Sequence, residues 1–309
     1  MACDLTTQLG NLALKNPVTV ASGTFGYGLE FADFYDPSIL GGIFLKGLTR
    51  EPRQGNPLPR LVETPAGLIN SIGLQNIGID EFCEHKWHEL ESVHTVIGVN
   101  ISGRSPEEYA ELAGRASEVP IVKAIEINVS CPNVKEGGVE FGRSAEHIRT
   151  ITRLCAQATR LPLIVKLSPN VTNIVEMAEA AMSSGASAVS LVNTFLAMAI
   201  DVERRRPVLR NVMGGLSGPA IKPIALRMVW QVWQALRCPI IGMGGVMSGT
   251  DAVEFLLAGA SAVSIGTANF VNPTAGIDVL RELEEWCNAH GVASVRELIG
   301  AAHPSDLVG

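Results

Sequence analysis

The stretch Ala124-Ile125-Glu126-Ile127-Asn128-Val129-Ser130-Cys131-Pro132-Asn133 sets the pattern for the whole chain. Its first half is a short apolar run of the kind that forms a buried strand. Its second half delivers an amide, a hydroxyl and a thiol before a proline stops it. Proline fixes its own φ and restricts the residue before it, so Cys131 is expected in an extended conformation just past the strand's carboxyl end. In α/β enzymes reactive groups stand at that end. A free cysteine is by default a small buried apolar residue, so Cys131 gains a chemical role only if the rest of the chain builds a site around it.

The same pattern recurs. Short β-branched runs ending in Gly, Ser, Asn or Lys fall at 18–22, 43–47, 96–101, 125–129, 163–167, 188–192, 240–243 and 262–265. Helical spacing separates them at 105–117, 144–159, 171–183, 224–235 and 248–257, several of these opened by Ser or Asp and closed by Gly or Pro. Near-continuous apolar strands alternating with helices imply parallel strands covered on both faces. The fold class predicted is α/β, an eight-stranded (β/α)8 TIM barrel, with a doubly wound open sheet as the alternative. Residues 4–17 alternate apolar and polar around Gly10-Asn11, which predicts a hairpin ahead of the barrel. No boundary, repeat or low-complexity tract interrupts the chain, so residues 1–309 read as a single domain. The connections 49–76, 130–143 and 195–219 are too long for plain βα loops, and each leaves the carboxyl end of a strand. They are expected to gather as lids over one mouth of the barrel.

Of 309 residues, 47% are apolar and 18% charged, with a net charge of −7. That acidity argues against nucleic acid or an anionic membrane as a partner, and Arg204-Arg205-Arg206 reads as a solvated loop. The most apolar segment, about 186–200, is broken by Ser187, Ser190, Asn193 and Thr194 and falls short of the ~18 apolar residues of a membrane span. Without a basic amino terminus leading into an apolar run, a cytoplasmic location is expected. The six cysteines (3, 83, 131, 155, 238 and 287) show no CxxC pairing, so no metal site or iron–sulfur ligand set is written in the chain.

Glycines cluster after the last two strands, in Gly242-Met243-Gly244-Gly245 and Gly266-Thr267-Ala268. In a barrel these neighbouring loops and the helix start that follows form a phosphate site, because glycine lets backbone N–H groups approach an anion. Gly218 could add a third close approach. A dinucleotide fingerprint fails, since the third glycine of GxGxxG would fall on Met247, so a mononucleotide phosphate is favoured. Two of the chain's seven lysines, Lys46 and Lys166, sit inside apolar strands. Each needs a counter-charge, and as no acid flanks either one in its own strand, a ligand anion is expected. Asn70, Asn100, Asn128 and Asn193 fall at strand ends or in the loop after the second strand. Together they could read a planar ring of alternating C=O and N–H groups.

These residues in this order resemble dihydroorotate dehydrogenase of the cytosolic class 1, most closely the class 1B catalytic subunit that works with NAD. The resemblance is carried by Ala21-Ser22-Gly23, Leu45-Lys46-Gly47, Asn70-Ser71-Ile72-Gly73-Leu74-Gln75-Asn76, Asn128-Val129-Ser130-Cys131-Pro132-Asn133, Lys166-Leu167-Ser168-Pro169, Asn193-Thr194, Gly242-Met243-Gly244-Gly245 and Gly266-Thr267. It implies a barrel carrying FMN, with the phosphate on Gly244, Gly245, Gly266 and Thr267. Ser22, Lys46, Gly47, Asn100, Asn128, Lys166, Val192 and Gly218 would complete the flavin site. Lys46, Asn70, Ser71, Ile72, Gly73, Leu74, Asn128, Asn193 and Thr194 would hold the carboxylate and ring of dihydroorotate. Ser71 stands where alanine would be expected.

The implied chemistry is removal of a proton by the Cys131 thiolate from the carbon α to a carbonyl, with a hydride passing from its neighbour to flavin N5. Lys166 near the ring's pyrimidine edge would stabilise the added negative charge. The segment Asn133 to Gly142 looks like the NAD-linked class 1B rather than the fumarate-linked class 1A. Electrons would then leave through a separate iron–sulfur flavoprotein subunit carrying FAD and a [2Fe–2S] cluster, in a heterotetramer built on a homodimer of this chain. The rival readings are a dihydropyrimidine dehydrogenase-like flavoprotein domain, a non-redox phosphate-binding barrel with Cys131 inert, and a flavin-binding scaffold without catalysis.

Overall fold

A computed structural model describes residues 2–129 and 141–304. Cys131 and the segment 130–140 lie outside the described residues. Eight parallel strands close into a barrel: β1 (Val18–Val20), β2 (Gly42–Leu48), β3 (Val96–Ile101), β4 (Val122–Asn128), β5 (Leu163–Lys166), β6 (Ala188–Leu191), β7 (Ile240–Met243) and β8 (Ala262–Ile265). Each pairs with its neighbours in sequence, and β8 returns to β1 through Val263↔Val18 and Ile265↔Val20. All eight expected strands are present, and closure rules out the open doubly wound sheet.

Inside the barrel Phe44, Ala124, Ile164, Ala188, Ile241, Met243 and Ala262 form one apolar cluster with Leu9, Leu12 and Leu14. The last three belong to the expected hairpin, whose strands Thr7–Leu9 and Leu12–Leu14 pair antiparallel with Leu9 opposite Leu12. Gly10 turns the hairpin at φ +63°, and a Cβ there would stand 2.9 Å from Ser187 O, just ahead of β6. The hairpin therefore plugs the amino-terminal end of the barrel. Large and small residues alternate in the fill: a Cβ on Gly98 would meet the Phe44 ring at 2.5 Å. With that end plugged, the interior of the barrel opens at its carboxyl mouth.

Helices Pro106–Ser117, Ala145–Ala158, Ile174–Met182, Lys222–Leu236 and Gly249–Leu257 follow β3 to β7. Ser105, Ser144, Asn173 and Ser248 cap four of the five by accepting from first-turn N–H groups, and the helix Lys222–Leu236 starts without a side-chain cap. The third starts at Ile174 rather than 171 because Asn173 captures the N–H groups of Val175 and Glu176. Three more helices, Ile79–Glu84, Ala268–Val271 and Ala275–Ala289, lay outside the sequence expectation. The last buries Gly276, Val279, Leu283 and Cys287 and packs on β1. Among the described residues no helix is long and apolar enough to cross a membrane.

Two of the three long connections do meet over the mouth. Strands Leu61–Thr64 and Gly67–Asn70 from the first, and Phe195–Ala197 and Gly214–Ser217 from the third, join in one antiparallel sheet. Its seam pairs Asn70 with Gly215 and Leu68 with Ser217. Glycine is needed there, since a Cβ on Gly67 would collide with Ser217 O and one on Gly214 with Asn70 O. Among the described residues, the sheet roofs the carboxyl end of the barrel.

Candidate active site

Between the roof and the strand ends lies a cavity of about 360 Å³, within the range of small-molecule and cofactor sites. Strand ends supply Ser22 and Lys46 from β1 and β2, Asn128 and Lys166 from β4 and β5, and Val192, Asn193 and Thr194 from β6. Gly244 and Gly245 follow β7, and Gly266 and Thr267 follow β8; the roof adds Asn70, Ile72, Gly73, Leu74 and Gly218. Alternation along β4 explains the placing: Ala124 faces the interior cluster, and Asn128, two pleats on, opens on the cavity.

The lining is positive. Lys46, Arg60 and Lys166 contribute to it, and among the described residues no carboxylate does. Arg60, which sequence reasoning missed, reaches the wall from the roof and donates to Gln75 Oε1 and to the Asn56 carbonyl. Its signal was present in Pro59-Arg60-Leu61, an arginine within a lid. Hydroxyls and amides complete the wall. Asn193 Nδ2 donates to Asn128 Oδ1 at 3.3 Å, and the Thr194 N–H donates to Asn193 Oδ1 at 2.8 Å. Tyr109 Oη, from the helix after β3, donates to the Asn128 carbonyl at 2.7 Å and fixes the end of β4. Thr267 Oγ1 donates to Ser217 Oγ at 2.8 Å, tying the β8 loop to the roof.

The glycines act in two ways. Gly244, Gly245 and Gly218 have φ of +122°, +81° and +96°, so the backbone itself demands glycine. Gly266 does not; a Cβ there would meet only Ala21 Cβ at 3.9 Å and would point into open space. The N–H groups of Gly244, Gly245, Gly266 and Thr267 donate to no protein acceptor among the described residues. Available donors beside positive side chains, around a position a side chain would fill, fit an anionic phosphate group. The helix Ala268–Val271 is a single turn, so the loop backbone rather than a long helix dipole makes this cradle. Asp251 holds the β7 loop by accepting from the Met247 and Ser248 N–H groups at 2.8 and 3.0 Å while pairing with Lys222 at 2.6 Å.

Three expected residues stand back from the cavity. Ser71 is fully buried behind the roof, where its hydroxyl and carbonyl accept from Asn56 Nδ2. Gly47 packs against Asn100, whose Oδ1 would lie 2.6 Å from a Cβ at position 47. Asn100 itself is buried and donates to Glu126 Oε2 at 2.6 Å. The counter-charge argument is corrected for Lys166. Although no acid flanks it in β5, Glu126 on neighbouring β4 approaches Nζ to 4.0 Å, so a ligand is not its only anion. Cys131, expected just beyond Asn128, lies outside the described residues.

A (β/α)8 barrel with its one sealed end and a polar, positively lined cavity over the other is an enzyme of the barrel class whose chemistry sits at the carboxyl ends of the strands. The family model for dihydroorotate dehydrogenase matches residues 4–287. The chain belongs to the dihydroorotate dehydrogenase family. It is 55% identical over 301 residues to the dihydroorotate dehydrogenase B (NAD(+)) catalytic subunit of Pelobacter propionicus, covering 97% of this chain and 99% of that one. It is 54% identical to the catalytic subunit of the same name from Desulforamulus reducens, covering 98% of this chain and all of that one. The crystal structure of DHODH from Eimeria tenella in complex with ferulenol superposes with a TM-score of 0.81 at 25% identity, covering 97% of this chain and 89% of that one.

Proposed function

We propose that the chain oxidises (S)-dihydroorotate to orotate, in the de novo route to pyrimidine nucleotides, as the catalytic subunit of an NAD-linked class 1B enzyme. The observation that carries the reading is the cavity, where loop glycines with available N–H donors, two strand-end lysines and three asparagines meet, with no carboxylate among the described lining residues. This lining suits a doubly anionic pair of guests, a phosphate-bearing cofactor and a carboxylate-bearing planar substrate.

Residues 1–309 then act as one FMN-binding domain. Gly244, Gly245, Gly266 and Thr267 would hold the phosphate, with Ser22, Lys46, Asn128, Lys166, Val192 and Gly218 around the ring, and Gly47 and Asn100 supporting from behind. FMN supplies the hydride acceptor. The chain supplies the rest: Lys46 faces the substrate carboxylate, Asn70, Asn128 and Asn193 with Thr194 read the ring, and Ile72, Gly73 and Leu74 exclude water from above. Cys131, as thiolate, removes the proton α to the carbonyl. A thiol ordinarily ionises near pH ~8.5, so flavin reduction accelerates as pH rises through that region. Lys166 would face the bound ring system and place a positive charge where the transfer would add negative charge, which would lower the barrier.

The relatives' designation as catalytic subunits supports a partner subunit. That partner is an iron–sulfur flavoprotein with FAD and a [2Fe–2S] cluster, joined to a homodimer of this chain in a cytoplasmic heterotetramer. The deciding experiment is anaerobic mixing of Cys131→Ala with dihydroorotate. The variant is expected to retain the yellow flavin band and to leave it unbleached, and bleaching at the parent rate would remove Cys131 from the mechanism. A parent protein without a flavin band would favour the non-redox barrel, and preference for dihydrouracil the dihydropyrimidine dehydrogenase-like reading.

A further inference from the structure

Glu126 has no part in the scheme above, yet it occupies a distinctive place. On β4 it lies between Ala124, in the apolar fill, and Asn128, on the cavity wall, so it stands inside the barrel directly beneath the site. It is 1% exposed. Three other strands answer it there. Asn100, paired with Glu126 in the β3–β4 ladder, donates Nδ2 to Oε2 at 2.6 Å. Ser190 of β6 donates Oγ to Oε1 at 2.9 Å, and Lys166 of β5 brings Nζ to within 4.0 Å of Oε2. Both carboxylate oxygens are thus engaged from the neighbouring strands, and the one member of the group that also lines the cavity is Lys166.

Stability does not account for this arrangement. Burying an ion pair costs desolvation of both charges, and well-packed apolar residues of similar volume generally do as well or better. The interior one layer below is filled in that apolar way. A charged pair at this level makes sense if the ammonium is needed at the cavity floor and must be held in one place at a set strength.

We infer that Glu126 is a positioning residue for Lys166, holding its ammonium in the cavity wall and offsetting its charge so that a reduced flavin bound there would not be over-stabilised. The inference rests on the reading of the cavity as an FMN site. Removing the carboxylate charge while keeping its shape withdraws a buried negative charge from beside Lys166 and the cavity floor, and any negative charge added to the ring then becomes more favourable. In a protein interior of effective dielectric about 20, one elementary charge shifts the reduction equilibrium about tenfold, equivalent to ~30 mV for a two-electron couple.

The test uses the full chain as purified, as the parent, Glu126→Gln and Glu126→Asp, reading the flavin midpoint potential by dye equilibration and the affinity for sulfite, which adds a negative charge to the flavin. Glu126→Gln is expected to raise the potential by ~30 mV and to tighten sulfite binding about tenfold. Glu126→Asp, which keeps the charge, should stay close to the parent. A folded, flavin-loaded Glu126→Gln with parental potential and sulfite affinity overturns the inference. If that variant does not accumulate, the pair Lys166→Met and Lys166→Met/Glu126→Gln decides it through thermal melts without flavin. Lys166→Met strands a buried carboxylate, so the double variant should be the more stable, and a double variant no more stable than the single overturns the inference. A parent chain that binds no flavin defeats the FMN reading instead, and the melts still report on the pair.

Discussion

Two glycines of the proposed phosphate cradle should fail in opposite ways when given side chains. Gly266 has room: a Cβ meets only Ala21 Cβ at 3.9 Å, and its backbone is outside the left-handed region. Gly244 has neither room nor a permissive backbone, with φ +122°, Ala225 Cβ at 2.9 Å and Ile221 Cδ1 at 3.2 Å from the built Cβ. For Gly244→Ala, the strained backbone and the overpacking together cost about 2–5 kcal/mol. In a chain of this size that lowers the apoprotein Tm by roughly 3–8 °C. Gly266→Val should leave the apoprotein Tm within about 2 °C, because surface-like additions into open space change stability by only about half a kcal/mol.

Flavin binding reverses the order of interest. The valine of Gly266→Val fills the space where the phosphate is held and blocks backbone N–H donors. Each hydrogen bond to a charged group contributes about 1.5–3 kcal/mol, so loss of one weakens FMN about ten- to a hundredfold. The measurement is an FMN titration by fluorescence, with melts at saturating FMN beside it. Saturating ligand at a hundred times Kd stabilises by about 2.7 kcal/mol, and Gly266→Val should lose most of that increment while Gly244→Ala starts from a lower baseline. Parental FMN affinity in Gly266→Val would refute the phosphate assignment. An apoprotein Tm for Gly266→Val as low as that of Gly244→Ala would refute the distinction between space and backbone.

The β7 loop and the buried thiols give two further expectations. Burial raises the Asp251 pKa, but the hydrogen bonds from Lys222 and the Met247 N–H outweigh it and hold the carboxyl below its ordinary value. A depressed folded pKa means stability present above the unfolded value, ~3.9, and lost as pH falls through the folded one. Asp251→Asn should therefore cost about 1–3 kcal/mol at neutral pH, and the gap between the two melting curves should narrow as pH falls below ~3.9 and close once the parent's folded carboxyl is itself protonated, at a pH lower still. A gap unchanged at that pH would be the contrary result. Burial pushes Cys155 and Cys287 up to about 12 and Cys238 up to about 11. Mass spectrometry after native-state alkylation with iodoacetamide at mild pH should find these three unmodified and Cys131 modified first, with orotate slowing that reaction; early labelling of Cys155 or Cys287 would contradict the burial argument.

The barrel strands were legible because a parallel strand covered on both faces must be apolar along its length, and runs such as Leu163-Ile164-Val165 have no other explanation. The roof was not. Gly67-Leu68-Ile69-Asn70 finds its partner near Gly215, a pairing for which the chain carries no local signal beyond the glycines that make it possible. The helix Ala275–Ala289 was readable from Gly276, Val279, Leu283 and Cys287 at helical spacing, with Pro273-Thr274 before it. Among site residues the strand-end groups were found because a polar side chain ending an apolar run has to face something. Glu126 broke that logic, since an acid flanked by Ile125 and Ile127 reads as the solvent side of a half-exposed strand until the barrel is closed.

Parity would have found it. In β4, Ala124 and Asn128 are on the same face as Glu126, and the identity of Asn128 as a mouth residue places every second residue behind it on the barrel axis. The same step in β5 runs back from Lys166 to Ile164, and in β6 from Val192 to Ser190. Around the lysine of β5, strands β4, β6 and β3 thus contribute Glu126, Ser190 and Asn100, which is a counter-charge held across strands rather than within one. The search for partners of a strand-end lysine in a parallel barrel therefore belongs on the adjoining strand, two residues back from its own polar end.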